Sequence, residues 1–148
     1  MTTVAAYFRH EHGEAPVRVS TPDEMDALID ELLEEPYDNS VAALYVEGRR
    51  NEAAFPDHEL LLAVSQEDSV GGLRYMGGDG AYTAKGSPSR YEEVMYYYMG
   101  HDREFPRDSE LPLDVIRRAA KEFLTGGGDR PTCVEWADVD TPVSESES

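Results

Sequence analysis

His10 and His12 stand one residue apart, and this spacing sets both imidazoles on one face of a strand. With Glu11, Glu14, His58 and His101, a metal site can be drawn around them. Two same-face imidazoles are only half of a tetrahedral zinc shell, and the spacing names no other ligands. A solvated strand end is the reading adopted, and no metal is expected. Cys133 lies in an apolar pattern between Pro131 and Trp136, where a thiol is inert. Gly77-Gly78-Asp79-Gly80 lacks the Gly-Lys-Ser/Thr that would make it a phosphate loop. There is no G-x-S-x-G elbow, and the zinc-deaminase signature that joins H-x-E to P-C-x-x-C is absent. Carboxylates are so numerous that no pair stands out for glycoside chemistry. No enzyme, catalytic residue or cofactor is expected.

The charge balance says more. The chain has 148 residues, with 31 acids against 13 bases and a formal net charge of -18. That sign works against nucleic acid and against anionic membrane, since both need Lys and Arg to displace counterions. It favours a basic protein partner, because opposite fields steer encounter. The competing reading of the same charge is solubility alone. A single cysteine makes no internal disulfide. The start MTTVAAYFRHEHGE has no basic region followed by an apolar run, and no segment is long and apolar enough to span a membrane. A cytoplasmic protein is expected.

The elements follow from pattern. Val4 to Phe8 and Val17 to Val19 read as short strands. Thr21-Pro22-Asp23-Glu24 combines an N-cap, a first-turn proline and a capping box, and Met25, Leu28, Ile29, Leu32 and Leu33 follow at helical spacing until Pro36. Strands are expected at Val41 to Glu47, Glu59 to Ser65, Val70 to Met76, Ala81 to Lys85 and Glu93 to Met99, joined by Gly, Pro and Asp clusters of hairpin type. Leu60 to Val64 is apolar on both faces, which places it centrally. A second helix runs from Pro112 to about Leu124, with Leu113, Ile116, Ala120, Phe123 and Leu124 inward and Arg117, Arg118 and Lys121 toward solvent. Gly126 to Gly128 ends it in a flexible loop, and Thr132 to Trp136 forms a last strand. The fold class is α+β: one domain over residues 1–137, an antiparallel sheet of five or six strands, and two main helices packed on it. Residues 138–148 read as a disordered acidic tail.

Certain pieces recur in a recognisable order. They are Gly71-Gly72-Leu73-Arg74-Tyr75, Tyr96-Tyr97-Tyr98-Met99-Gly100 and Glu104-Phe105-Pro106. Glu122-Phe123-Leu124, the glycine stop and Pro131-Thr132-Cys133-Val134-Glu135-Trp136 complete the set. Over roughly Tyr37 to Ala137 the chain resembles the Imm1 family of bacterial immunity proteins. The resemblance implies a stoichiometric inhibitor that binds a cognate toxin of a polymorphic toxin system, often one of the nucleic-acid deaminase class. It implies a scaffold more than a surface. Trp136 beside Phe123 reads as core, and Gly72, Gly77 and Gly80 as turn and hairpin geometry.

The expected partner is therefore a cognate, basic toxin whose active site is occluded. The alternative is an acidic adaptor or regulatory protein of an actinobacterial-type system with no toxin partner. Between Arg18 and Arg49 there is no Lys or Arg, so the first helix is expected to show a one-sign face, with Asp26, Asp30 and Glu34 as partner-binding candidates. The second candidate surface is the aromatic strand and nearby turns: Glu67, Asp68, Asp79, Tyr82, Tyr96 and Tyr98. Tyr96 and Tyr98 project to one side of that strand and Tyr97 to the other, and tyrosine makes rigid, amphipathic interface anchors.

Overall fold

The computed structural model describes residues 2–9, 14–35, 39–48, 58–77, 80–89, 94–98 and 101–138. Helix α1, Pro22–Leu33, starts as its sequence dictates. The Thr21 hydroxyl accepts the Glu24 backbone N–H at 3.1 Å, and the Glu24 carboxylate accepts the Thr21 N–H at 3.1 Å. A closed box of this kind is worth about 1 kcal/mol. Met25, Leu28, Ile29 and Leu32 are its buried stripe.

The strands are β1 Val4–Tyr7, β2 Val17–Val19, β3 Val41–Val46, β4 Glu59–Ser65, β5 Val70–Gly77, β6 Gly80–Ala84, β7 Val94–Tyr98, β8 His101–Phe105, β9 Leu111–Pro112 and β10 Trp136–Asp138. Eight of them form one antiparallel sheet in the order β10-β6-β5-β4-β3-β1-β2, with β9 paired to the start of β5. This α+β sheet is wider than the five or six strands expected, because two- and three-residue strands carry no readable hydrophobic period. The aromatic strand β7 departs from the expected meander: among the described residues its strand partner is β8, in a separate hairpin.

That hairpin supplies a third layer. Leu60, Leu62 and Val64 of β4 meet the helices, while Leu61 and Ala63 on the opposite face pack with Val94, Tyr96 and Phe105 of the hairpin. The strand that reads apolar on both faces is thus covered on both faces, by helices on one side and by a hairpin on the other.

Gly71 and Gly72 are the hinge of this arrangement. They lie inside β5, so the turn role expected for Gly72 is corrected. Adjacent strand residues point to opposite faces. A Cβ on Gly71 would stand 2.2 Å from the Ala63 carbonyl oxygen and 3.1 Å from Ile116 of helix α2, Leu113–Thr125. A Cβ on Gly72 would meet the Phe105 ring at 2.9 Å. One glycine lets the helix approach, and the other lets the hairpin lie on the sheet.

Helix α2 buries Ile116, Ala119, Ala120, Phe123 and Leu124. Its bases do not all face solvent as expected. Arg117 reaches Asp26 at 3.1 Å and Asp30 at 2.5 Å, and Lys121 reaches Asp26 at 2.7 Å. The two helices lie against one another, and charges on a shared rim find each other sooner than water.

The triple glycine has a specific geometry where a flexible loop was expected. Gly127 and Gly128 have φ of 71° and 95°, which other residues reach only with strain. Gly127 N–H donates to the Leu124 carbonyl at 3.3 Å and Gly128 N–H to that of Phe123 at 2.9 Å, the paired bonds of a Schellman stop. The Gly128 carbonyl then accepts the buried Tyr75 hydroxyl at 2.9 Å.

Beyond the stop, Glu122 replaces the strand expected at Thr132. Its carboxylate accepts the Thr132 N–H at 2.7 Å, the Thr132 hydroxyl at 2.6 Å and the Cys133 N–H at 3.1 Å. With those donors committed, pairing begins only at Trp136, opposite Ala84. Burial pushes the Glu122 carboxyl up, but the bonds from Thr132 and Cys133 outweigh it and hold it below its ordinary value of 4.5. A carboxylate lowered in the folded state stabilises above its unfolded pKa, and that gain is lost as pH falls through the folded value. Glu122→Gln is expected to lower stability at neutral pH and to flatten the loss of stability on acidification below about pH 4.5. Chemical denaturation at pH 7 and pH 3.5 checks both.

Trp136 packs against the core through Tyr75, at 6.3 Å between ring centroids, and Tyr75 in turn meets Phe123 at 6.5 Å. The indole N–H donates to the Pro131 carbonyl at 2.8 Å. The acidic tail expected from 138 lies, beyond Asp138, outside the described residues.

Candidate partner interface

The candidate residues divide among separate surfaces. Asp26, Asp30 and Glu34 belong to α1 and its C-cap, on the helix side of the sheet. Asp26 and Asp30 are engaged by Arg117 and Lys121, and on the other flank Arg9 holds Glu35 at 2.6 Å and stands 3.8 Å from Glu31. The Asp26 carboxyl is held below its ordinary value, first by the Lys121 bond and against a smaller effect of burial. The α1 face is therefore not one-sign. It is a laced surface on which Asp26, Asp30, Glu31 and Glu35 pair with three bases, Arg9, Arg117 and Lys121. Exposed pairs of this kind each contribute about 0–1 kcal/mol, and the surplus stays negative.

Glu67 and Asp68 sit in the turn between β4 and β5, where Ser65 and Asp68 bond one another at 3.4 to 3.5 Å. Asp79 lies outside the described residues. Tyr82 is on the helix-facing side of β6, with the Arg130 guanidinium 4.3 Å over its ring. Nearby, Tyr75, Asp129, Arg130, Pro131, Thr132, Val134 and Trp136 line a shallow groove of about 460 Å³. Residues of the closing family motif thus reach the surface as well as the core.

The aromatic strand resolves its own two sides. Tyr96 is 2% exposed, edge-on to Phe105 at 5.2 Å, so its ring is part of the inner packing and offers nothing to a partner. Tyr98 points the same way but lies at the margin of that cluster, half-buried. There it is joined by Tyr7 of β1 and Tyr45 of β3, which sequence reasoning did not single out. Tyr7 and Tyr45 pack edge to face at 5.8 Å. The Tyr45 hydroxyl donates a short hydrogen bond to Glu59 of β4. Glu59 is opposite Met76 of β5, which is 48% exposed, the one large apolar side chain so exposed among the described residues. The Arg103 guanidinium stands 5.8 Å over the Tyr98 ring.

Burial raises the Tyr45 hydroxyl far above its ordinary value, with the Glu59 bond and charge adding to it. Burial and then Glu59 raise Tyr98 as well. All this leaves neutral phenols around a carboxylate. Tyrosine faces, an exposed methionine and one acidic group match the composition of a protein interface better than that of a catalytic cleft.

His10 and His12 lie outside the described residues. His58 is buried, and its Nε2 accepts the Val46 N–H at 2.7 Å. Among the described residues no group of three or more His, Cys, Asp or Glu is placed to hold a metal. Burial pushes the Cys133 thiol up, and Glu122 adds to that, which keeps it in the unreactive form. No helix among the described residues is long and apolar enough to cross a membrane.

No curated protein matches the chain in sequence. Residues 13–138, most of its length, match the family described as Immunity protein Imm1. The three-layered α+β scaffold and its signature residues are thus those of a member of the Imm1 family of immunity proteins, and the chain belongs to that family.

Proposed function

We propose that this protein binds a cognate toxin of the nucleic-acid-directed, deaminase type and silences it in the cytoplasm by covering its active site. Membership in the Imm1 family carries the toxin partner. The net charge of -18 carries the finer reading. A toxin that acts on nucleic acid presents a basic substrate surface, and an acidic protein is complementary to it while competing for the same groups. The surplus carboxylates of α1, Asp30 and Glu34 among them, steer the encounter. The tyrosine and methionine surface on the opposite side of the sheet supplies the desolvated centre that slows release.

The test is co-purification with the toxin domain encoded beside its own gene, in low and in high salt. A complex that forms in low salt and weakens steeply in high salt supports the reading. Absence of a complex at either salt would contradict it.

A further inference from the structure

We propose that Glu59, Tyr7, Tyr45 and Tyr98, with Met76 beside them, form a receptor for a single basic side chain, a lysine or arginine, of the toxin. The inference rests on the immunity reading and names the recognising chemistry of one of its surfaces.

Four observations converge on it. Glu59 lies on the sheet face opposite the helices, and it pairs with no Lys or Arg among the described residues. One of its oxygens takes the Tyr45 hydroxyl; a carboxylate has capacity for several more donors. The rings of Tyr7, Tyr45 and Tyr98 are half-buried, so they are fixed in place while part of each still faces solvent. Their faces carry negative quadrupole density, and the cluster already holds one guanidinium, that of Arg103, over Tyr98.

The chemistry selects the occupant. An anion would meet Glu59 in a chain whose net charge is -18. A neutral apolar side chain would bury the Glu59 charge with the Tyr45 hydroxyl as its one compensating donor among the described residues, which is unfavourable. A cation satisfies both the carboxylate and the rings, and its methylene stem can lie on Met76, whose unbranched thioether adapts to varied shapes. Desolvated contacts of this type dominate binding energy, whereas exposed charges mainly set the on-rate.

The deciding variant is Glu59→Gln, which keeps the shape and can still accept from Tyr45. Its control is Asp108→Asn, which makes the same change in net charge in the exposed turn between β8 and β9. Thermal melting establishes that both variants fold. Toxin affinity is then measured at three salt concentrations. Glu59→Gln is expected to bind at least about tenfold more weakly with a shallower salt dependence, and Asp108→Asn within about twofold of the parent. Parental affinity in Glu59→Gln would overturn the proposal, as would equal losses in the two variants.

A toxin-free arm separates this proposal from the immunity reading. Arginine amide is titrated into the protein while the tyrosine ring signals are followed by NMR. Shifts of Tyr7, Tyr45 and Tyr98 that disappear in Glu59→Gln are expected whether or not a toxin binds. If the parent protein bound no toxin but showed these shifts, the immunity reading would fall and the cation site would stand. The absence of these shifts in the parent protein would overturn the site.

Discussion

Gly71→Ala is expected to destabilise the protein by about 3 kcal/mol, at the upper end of what added core volume usually costs. The reason is the identity of the atom in the way. The new methyl would stand 2.2 Å from the main-chain oxygen of Ala63 on the neighbouring strand, and a carbonyl in a sheet ladder cannot rotate aside. Either β4 and β5 part or α2 lifts from the sheet, and both lose buried contacts. Gly72→Ala provides the comparison. Its obstacle is the Phe105 ring at 2.9 Å, a side chain at the edge of a hairpin that can shift, so a loss of about 1–2 kcal/mol is expected. Phe105→Leu in the Gly72→Ala background should recover part of that loss if the ring is the obstacle. The same change in the Gly71→Ala background should recover nothing. Urea denaturation of these four variants, of Phe105→Leu alone and of the parent gives the coupling directly.

Phe123→Ala is expected to cost more, about 4 kcal/mol, because it removes a large, fully buried ring from the middle of the helix–sheet layer. Phe123 lies 5.8 Å from His58 and 6.5 Å from Tyr75, and its carbonyl accepts the Gly128 N–H that stops α2. The cavity would reach His58, whose ring holds the Val46 N–H, and Tyr75, whose hydroxyl holds the glycine turn. Phe123→Leu fills most of the space and should cost about half as much. Matched losses in the two variants would show that the ring's own contacts, and not the volume it fills, carry the stability.

The parts of this fold visible in the sequence are those whose causes are local. Thr21, Pro22 and Glu24 are neighbours in the chain, and their capping box lies where their order places it. The unbroken apolar run from Leu60 to Val64 marks a central strand, and both of its faces are covered. What escaped detection depends on residues far apart in the chain. Arg117 and Lys121 look solvent-facing within their own helix, and only the packing of α2 against α1 brings Asp26 and Asp30 to them. A Gly-Gly pair reads as a turn because turns are where glycine is most often needed. In this chain the need comes from the Ala63 carbonyl and Ile116 at Gly71 and from Phe105 at Gly72, none of them a chain neighbour.

The candidate interface behaves the same way. Tyr98 was legible as an aromatic strand residue, but Tyr7, Tyr45 and Glu59 come from three further strands, and each is an ordinary residue in its own stretch. A signal did exist. Tyr45 and Glu59 both alternate out of phase with the helix-facing residues of their strands, Leu44 and Leu60. Tyr96 shows the limit of that logic, since it shares a side with Tyr98 yet is sealed by Phe105.

The central claim is that this protein silences its toxin by occupying the active site, and one titration tests it most directly. The toxin's catalytic activity is measured as the protein is added, at several concentrations of the nucleic-acid substrate. The account predicts complete loss of activity at one equivalent when substrate is scarce, and a rising requirement for protein as substrate is increased. A stable complex in which the toxin keeps its activity, or inhibition unaffected by substrate, would contradict it.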